Sequence, residues 1–395
     1  MIKKNIIPKL SIVFILFALS SCNRNKIYYP IDFYEGTLQT CIDKNNIYAG
    51  FTRHFSHVNK NAMYFFDQAT PDHLIEYDFS KNKLDTLYSP MSANLSPGYY
   101  PTDFYMVNRD SILIVTTYRH YWNTNNVYLP FKKINDFIDD SVYYYCYGGI
   151  MFYEQMSIID GKYLIAPVIK YGLRNNKDCQ SIYEWQSKYD RNKDWNRKHY
   201  VRFNITNDTT VSEVKLIGDG RWIPSYPTDN YYNRSVGMGN IYCPTKERIY
   251  FFNQHTMEIA VADKEGNYIK SVTPESQFFI PHLPFSLEDS YSDSKSMKYA
   301  KSTTLISELI YDEYRDVFLR EIFLPVRKSK DGMQDLPRDF VIMVLNKNLK
   351  KKYEVFFNRK NYTGSIHVTE KGVYLLRKDE DENNKYYKAD RFIFD

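Results

Sequence analysis

Short apolar and aromatic runs, each entered through a polar turn, recur along most of this 395-residue chain. Asp43-Lys44-Asn45-Asn46 precedes Ile47-Tyr48-Ala49-Gly50-Phe51, and Asn108-Arg109-Asp110 precedes Ser111-Ile112-Leu113-Ile114-Val115. Asp160-Gly161 precedes Lys162-Tyr163-Leu164-Ile165-Ala166, and Thr245-Lys246-Glu247 precedes Arg248-Ile249-Tyr250-Phe251-Phe252. Tyr314-Arg315-Asp316 precedes Val317-Phe318-Leu319-Arg320, and Glu370-Lys371-Gly372 precedes Val373-Tyr374-Leu375-Leu376. Apolar runs of this length, bounded by turn residues, read as strands. Further strands follow each one, as where Leu74–Phe79 turns at Ser80–Lys83 into Leu84–Leu87. Ile259–Asp263 turns at Lys264–Asn267, and Val341–Leu345 turns at Asn346–Asn348.

The starts at Ile47, Ile112, Tyr163, Ile249, Val317 and Val373 are spaced about 50 to 90 residues apart, room for one four-stranded blade each. The last unit is one strand short, while Tyr28–Thr40 offers a spare strand near the N-terminus. The pattern therefore predicts an all-β protein, a β-propeller of six blades whose N-terminal strand completes the last. Seven blades is the alternative, and a pair of β-sandwiches comes third. Two segments interrupt the pattern. Arg174–His199 is charged, with a short helix predicted over Ser181–Lys188, and His282–Ser302 reads as a long polar loop. Loops on a rigid scaffold are where binding surfaces sit.

Composition agrees with sheet. The chain holds 38 Tyr and 25 Phe against 15 Gly, and aromatic residues favour pleated, half-buried surfaces. The extreme N-terminus is different. Lys3, Lys4 and Lys9 precede the apolar run Leu10–Leu19, whose helix would rise about 15 Å, too short to span a bilayer. Leu19-Ser20-Ser21-Cys22 closes it in the manner of a bacterial lipoprotein signal, with Cys22 lipidated and made the new N-terminus. The expected organisation is a signal peptide over 1–21, a lipidated tether over 22–28 and one propeller domain over 29–395. Asn23 replaces the aspartate that retains lipoproteins at the inner membrane, and no acidic cluster follows. These features predict an outer-membrane protein facing the periplasm, held to the membrane through Cys22.

Without the three signal lysines, 49 basic residues face 47 acidic ones, a net of +2. That balance gives no reason to invoke nucleic acid. Cys41, Cys146, Cys179 and Cys243 are widely spaced and form no metal-binding pairs; disulfides and buried thiols both remain open.

Asp103-Phe104-Tyr105 leading to Asp110-Ser111-Ile112, and above all Ile310-Tyr311-Asp312-Glu313-Tyr314-Arg315-Asp316-Val317-Phe318-Leu319-Arg320, resemble the envelope lipoproteins of the domain of unknown function 4221 family. The resemblance covers nearly all of the mature chain and implies a propeller lipoprotein from a Bacteroidales-type bacterium. It implies no activity, so it assigns no site residue.

Catalytic signatures are missing: the chain has no G-x-S-x-G elbow and no H-E-x-x-H pair. His54 and His57, and Asp289 with Asp293, lack the partners that a metal or calcium loop needs. Nothing calls for a cofactor or metal. Asp85-Thr86-Leu87, Asp110-Ser111-Ile112, Asp140-Ser141-Val142 and Asp208-Thr209-Thr210 match an O-glycosylation pattern, but they also read as strand starts. Trp122, Trp185, Trp195 and Trp222 fall in or near predicted loops and are the candidate ligand-binding residues, since aromatic faces stack on sugars and anchor protein contacts. The expected function is a non-catalytic binding propeller for a peptide, glycan or envelope protein. The alternative is a glycan lyase or hydrolase at the channel mouth. Intact-mass measurement of envelope-extracted protein should find a chain beginning at Cys22 with acyl chains attached. A chain beginning elsewhere, or bare of fatty acid, contradicts the anchor.

Overall fold

The computed structural model describes residues 27–45, 58–67, 73–88, 99–108, 111–118, 126–130, 157–160, 162–168, 199–204, 212–217, 239–281, 292–328, 337–378 and 385–395. Its first strand is β1 (Tyr34–Asp43). Then follow β2 (Ala62–Phe66), β3 (Leu74–Asp78), β4 (Lys83–Tyr88), β5 (Tyr99–Asn108), β6 (Ser111–Tyr118) and β7 (Asn126–Pro130). Next come β8 (Ser157–Ile159), β9 (Tyr163–Val168), β10 (His199–Asn204), β11 (Ser212–Ile217), β12 (Gly239–Thr245), β13 (Arg248–Asn253), β14 (Ile259–Asp263) and β15 (Tyr268–Val272). The last seven are β16 (Leu305–Asp312), β17 (Val317–Phe323), β18 (Phe340–Asn346), β19 (Lys351–Phe357), β20 (Tyr362–Thr369), β21 (Gly372–Arg377) and β22 (Tyr386–Phe392).

These strands form antiparallel sheets in consecutive order. Four sheets carry four strands: β8–β11, β12–β15, β16–β19, and β20–β22 completed by β1. Two carry three among the described residues, β2–β4 and β5–β7. The expectation of six or seven four-stranded blades is thereby corrected: four sheets reach four strands among the described residues, and the expected start at Ile47 lies outside them. The starts at Ile112, Tyr163, Ile249, Val317 and Val373 are second strands, each entered from an innermost strand that the pattern underweighted. Those innermost strands, such as Gly239–Thr245, are less uniformly apolar than their partners.

Each sheet packs face to face on the next. Ile249, Phe251, Ala260 and Ala262 meet Ile159 and Ile165; Tyr250, Phe252 and Val261 meet Phe318, Ile322 and Val341. Val317, Leu319, Phe340 and Phe357 meet Ile366, Val368, Leu375 and Phe392. The final sheet packs back on the first through Leu376 and Tyr374 against Met63, Phe65, Tyr77 and Phe79. Tyr374 and Phe79 stack with ring centroids 4.6 Å apart. This radial, closed arrangement is an all-β propeller.

One local device ends strand after strand. Asp78 Oδ1 accepts from the Ser80 and Lys81 amides at 2.8 and 3.1 Å, Asp263 Oδ1 from Glu265 and Asn267, and Asn346 Oδ1 from Asn348 and Lys350. Such Asx turns satisfy backbone amides where the ladder stops. His282–Ser302 corrects its loop expectation in part, since Asp293–Ser302 is an α-helix, α1, capped by the Ser292 hydroxyl. Its C-terminal carbonyl at Ala300, and that of Thr303, accept from the Arg338 guanidinium, brought by the stretch just before β18. That cap is not local in sequence, so the helix could not be read from its own residues.

The Ile310–Arg320 segment that carries the family resemblance turns out to be a clamp between sheets. Asp312 Oδ1 accepts from the Tyr314 amide at 3.0 Å, and Arg315 Nη1 pairs with Asp312 Oδ2 at 2.7 Å. Arg315 also donates to the Thr369 and Glu370 carbonyls of the following sheet. Arg320, fully buried, donates to Met257 O at 2.5 Å and Thr256 O at 3.0 Å of the preceding sheet. Burial lowers its pKa to about 9.

β21 starts at Gly372 with φ +146°, and a Cβ there would sit 2.7 Å from the Phe392 carbonyl oxygen. Gly372→Ala is therefore expected to cost on the order of 2–3 kcal/mol in denaturant unfolding. Gly36→Ala, also at positive φ but with open space around it, should cost measurably less.

Candidate functional site

The N-terminal segment before β1 overhangs a cavity lined by described residues. Tyr28 lies beside β19 in a parallel bridge: its amide donates to Glu354 O at 3.3 Å and its carbonyl accepts from Phe356 N at 3.0 Å. Phe33 stacks on Tyr353 with centroids 5.2 Å apart and tilts onto Phe394 at 5.5 Å. Between these two anchors runs a single 3-10 turn, Pro30–Asp32, with the Tyr29 amide donating to Asp32 Oδ2. Proline presets the dihedral of the first turn residue, which suits it to this place.

The turn overhangs a cavity of about 500 Å³ at the seam of the last two sheets. Tyr29, Ile31 and Tyr34 form its rim, Phe356 and Phe392 an apolar wall, and Asn358, Asn361 and Arg377 supply polar groups. Asp390 at its base is held on three sides: Tyr362 Oη donates at 2.9 Å, Thr37 Oγ1 at 2.5 Å, and Arg377 Nη1 stands 3.7 Å away. Burial, then the Asp390 charge, push the Tyr362 phenol well above its ordinary pKa, so it stays a donor. An aromatic rim over a few fixed polar groups is the usual make-up of a small-molecule or peptide site.

Behind this seam lies a buried acid. Glu321 of β17 is almost wholly inaccessible, and its Oε1 has no hydrogen-bond partner among the described residues. Burial first, and the Glu308 charge second, drive its pKa well above the ordinary carboxylate range, against the opposing pull of Arg359. Gly364, at φ +86°, makes the room: a Cβ there would come 3.2 Å from Glu321 Oε1. Arg359 stacks over Phe323 at 4.6 Å, and its amide donates to Asp339. At the opposite end of the strands the charged residues form exposed pairs, Lys60 with Glu313 at 2.9 Å and Lys246 with Asp160 at 3.4 Å. Exposed pairs of this kind contribute about 0–1 kcal/mol each.

Cys22, Trp122, Trp185, Trp195 and Trp222 all lie outside the described residues, as do His54, His57, Asp289, Cys146 and Cys179. Cys41 and Cys243 are free, half-buried thiols in β1 and β12, so neither is in a disulfide; desolvation pushes Cys243 up to about 12. Among the described residues no group of three metal-ligating side chains converges, and no helix is long and apolar enough to cross a membrane. Sequence reasoning missed the Tyr29–Tyr34 rim. Its one signal was the apolar and aromatic stretch from Ile27 to Tyr34, directly after the polar run Asn23-Arg24-Asn25-Lys26.

The class of protein is thus a β-propeller with a seam cavity formed by its own N-terminal segment. No protein-family model matches the chain, and no curated protein does. Among solved structures it is similar to a member of the DUF4221 family from Bacteroides vulgatus, with a TM-score of 0.57 at 15% identity over 91% of this chain and 96% of that one. At that identity the likeness concerns the fold, and it agrees with the resemblance drawn from Ile310–Arg320. Fainter likenesses link it to a calcium-binding protein, regucalcin, from Agrobacterium tumefaciens (TM-score 0.40, 7% identity, 93% and 97% covered). Another is to Hsv2 of Kluyveromyces lactis (TM-score 0.35, 10% identity, 85% and 82% covered). Neither carries an argument.

Glu321 generates a pH dependence of defined sign. Unfolded, it ionises near 4.5; folded, it keeps its proton to higher pH. Its stabilising contribution is therefore full below about pH 4.5 and is lost as pH rises towards the folded value. Glu321→Gln should gain melting temperature relative to the parent between pH 4.5 and 8, on the order of 2 °C or more. An offset that stays constant over this range contradicts the assignment.

Proposed function

We propose that this chain is a lipid-anchored binding propeller of the bacterial envelope, attached to the outer membrane through Cys22 and facing the periplasm. In this reading residues 1–21 are removed on export, 22–28 form the tether, and 29–395 fold as one ring. The ligand is an envelope peptide, glycan or protein segment, taken up in the seam cavity.

The observation that carries the reading is the cavity's make-up. Tyr29 and Tyr34 offer faces for stacking, Asn358 and Asn361 are exposed hydrogen-bonding groups, and the one carboxylate, Asp390, already has three partners. A carboxylate so engaged is suited to hold geometry and poorly suited to act as a nucleophile or base. The second reading, a glycan-processing enzyme, draws on Glu321, a buried acid that stays protonated as a general acid would. Its lack of access to the cavity's polar groups weighs against that role.

The test is capture of envelope peptide and glycan fragments by the purified protein, read by mass spectrometry. Asn361→Ala, at an exposed position, should reduce retention of the captured species about tenfold without changing stability. Unchanged retention would remove the cavity as the binding site, and turnover of a captured glycan would favour the enzyme.

A further inference from the structure

The N-terminal segment presents its apolar side chains outward in a way that a mere linker has no reason to. Tyr28 and Phe33 turn inward and fasten it to β19 and the chain end. Between and beside them Ile27 is 40% exposed, Tyr29 54%, Ile31 76% and Tyr34 41%. Ile31 stands at the tip of the 3-10 turn and is the most exposed large apolar side chain described. The patch is therefore held rigidly by the fold and offered to the outside. Water contact at these four side chains is unfavourable, at about 25 cal/mol per Å² of apolar surface.

We infer that this rim is a membrane-docking surface, seated in the interfacial layer of the bilayer that carries the Cys22 acyl chains. The inference rests on the lipid-anchor reading above and adds a direct contact between the folded body and the lipid. Covalent geometry argues for this occupant. Four residues separate Cys22 from Ile27, so at about 3.6 Å per step the patch can stand no more than roughly 18 Å from the acylated residue. A surface tethered so closely meets the bilayer at high effective concentration. The side-chain types agree, since tyrosine with isoleucine is the mixture that settles at the headgroup boundary. The patch's size agrees too. Four partly exposed side chains fall well short of the roughly 1,000 Å² that a stable protein interface buries, whereas interfacial insertion needs only a few apolar groups. Docked this way, the cavity's mouth is held at the depth of the lipid headgroups.

The test uses the envelope-purified protein in vesicles of phosphatidylethanolamine and phosphatidylglycerol whose acyl chains carry bromine, a collisional quencher of tryptophan. Ile31→Trp places a reporter at the turn's tip, and Tyr268→Trp places one at the far end of the strands, beside the Asp263–Asn267 turn. Both positions are exposed, so neither substitution should unfold the protein. Emission added by Ile31→Trp is expected to fall about twofold and shift to the blue, while that added by Tyr268→Trp stays unchanged. An unquenched Ile31→Trp in vesicle-bound protein overturns the proposal, as does equal quenching at both positions. Dimers that shield the reporter at the turn's tip without lipid would identify a second copy as the occupant and also overturn it. Failure of the anchor itself is read separately: protein whose intact mass lacks acyl chains removes the tether, and quenching on added vesicles still decides the docking.

Discussion

The pairing of β1 with β22 is the constraint on which the ring depends. It joins residues from opposite ends of the chain, Thr37 and Asp390 being 353 positions apart. Bringing such distant segments together costs roughly 5 kcal/mol of loop-closure entropy beyond a constant. Six paired positions, at about 1 kcal/mol for each net hydrogen bond, together with the burial of Ile42, offset a cost of that size. The 28–33 segment adds a second fastening, because Tyr28 pairs with β19 while Phe33 accepts from the Ile393 amide. The N-terminal segment thus grips two neighbouring sheets at once. A sheet that would otherwise end in a three-stranded edge is completed, and the last sheet is pinned to its neighbour.

From that closure follows the placement of polar groups between sheets. Apolar faces supply most of the adhesion, but they are uniform enough to slide. Arg315 and Arg320 set the register by reaching carbonyls of the following and the preceding sheet respectively. Tyr242 Oη does the same from one sheet earlier, accepting from the Tyr311 amide at 2.9 Å. Charged side chains aimed at backbone carbonyls across a seam tolerate no one-residue slip, since a shift would leave a buried cation without acceptors. The segment most recognisable in sequence is therefore the one whose side chains leave their own sheet.

The same closure creates the candidate site. The cavity exists because a turn carrying Tyr29 and Ile31 is laid across the seam between β19 and β22, and its base is fixed because Asp390 serves three partners from different strands. The apolar rim comes from one short stretch of chain, Tyr29 to Tyr34, while the wall and the polar floor come from residues more than 300 positions away.

Strand identity, the turns at Asp78, Asp263, Asn346 and Asp312, and the return of the N-terminus to the final sheet were legible in the residues themselves. Each rests on local chemistry: apolar runs bounded by turn residues, Asx hydrogen bonding, or a unit lacking one strand. The export signal ending at Cys22 is a reading of the same local kind. The number of four-stranded sheets, α1 and the cavity were decided only in three dimensions. A strand is counted when partners hydrogen-bond to it; α1 is completed by Arg338 from a distant position; and the cavity joins Tyr29 to Asn361 and Asp390 across more than 300 residues. Neither a side chain's neighbours across a seam nor the burial that keeps Glu321 protonated is encoded in any short window, because both arise from faces that meet only when the ring shuts.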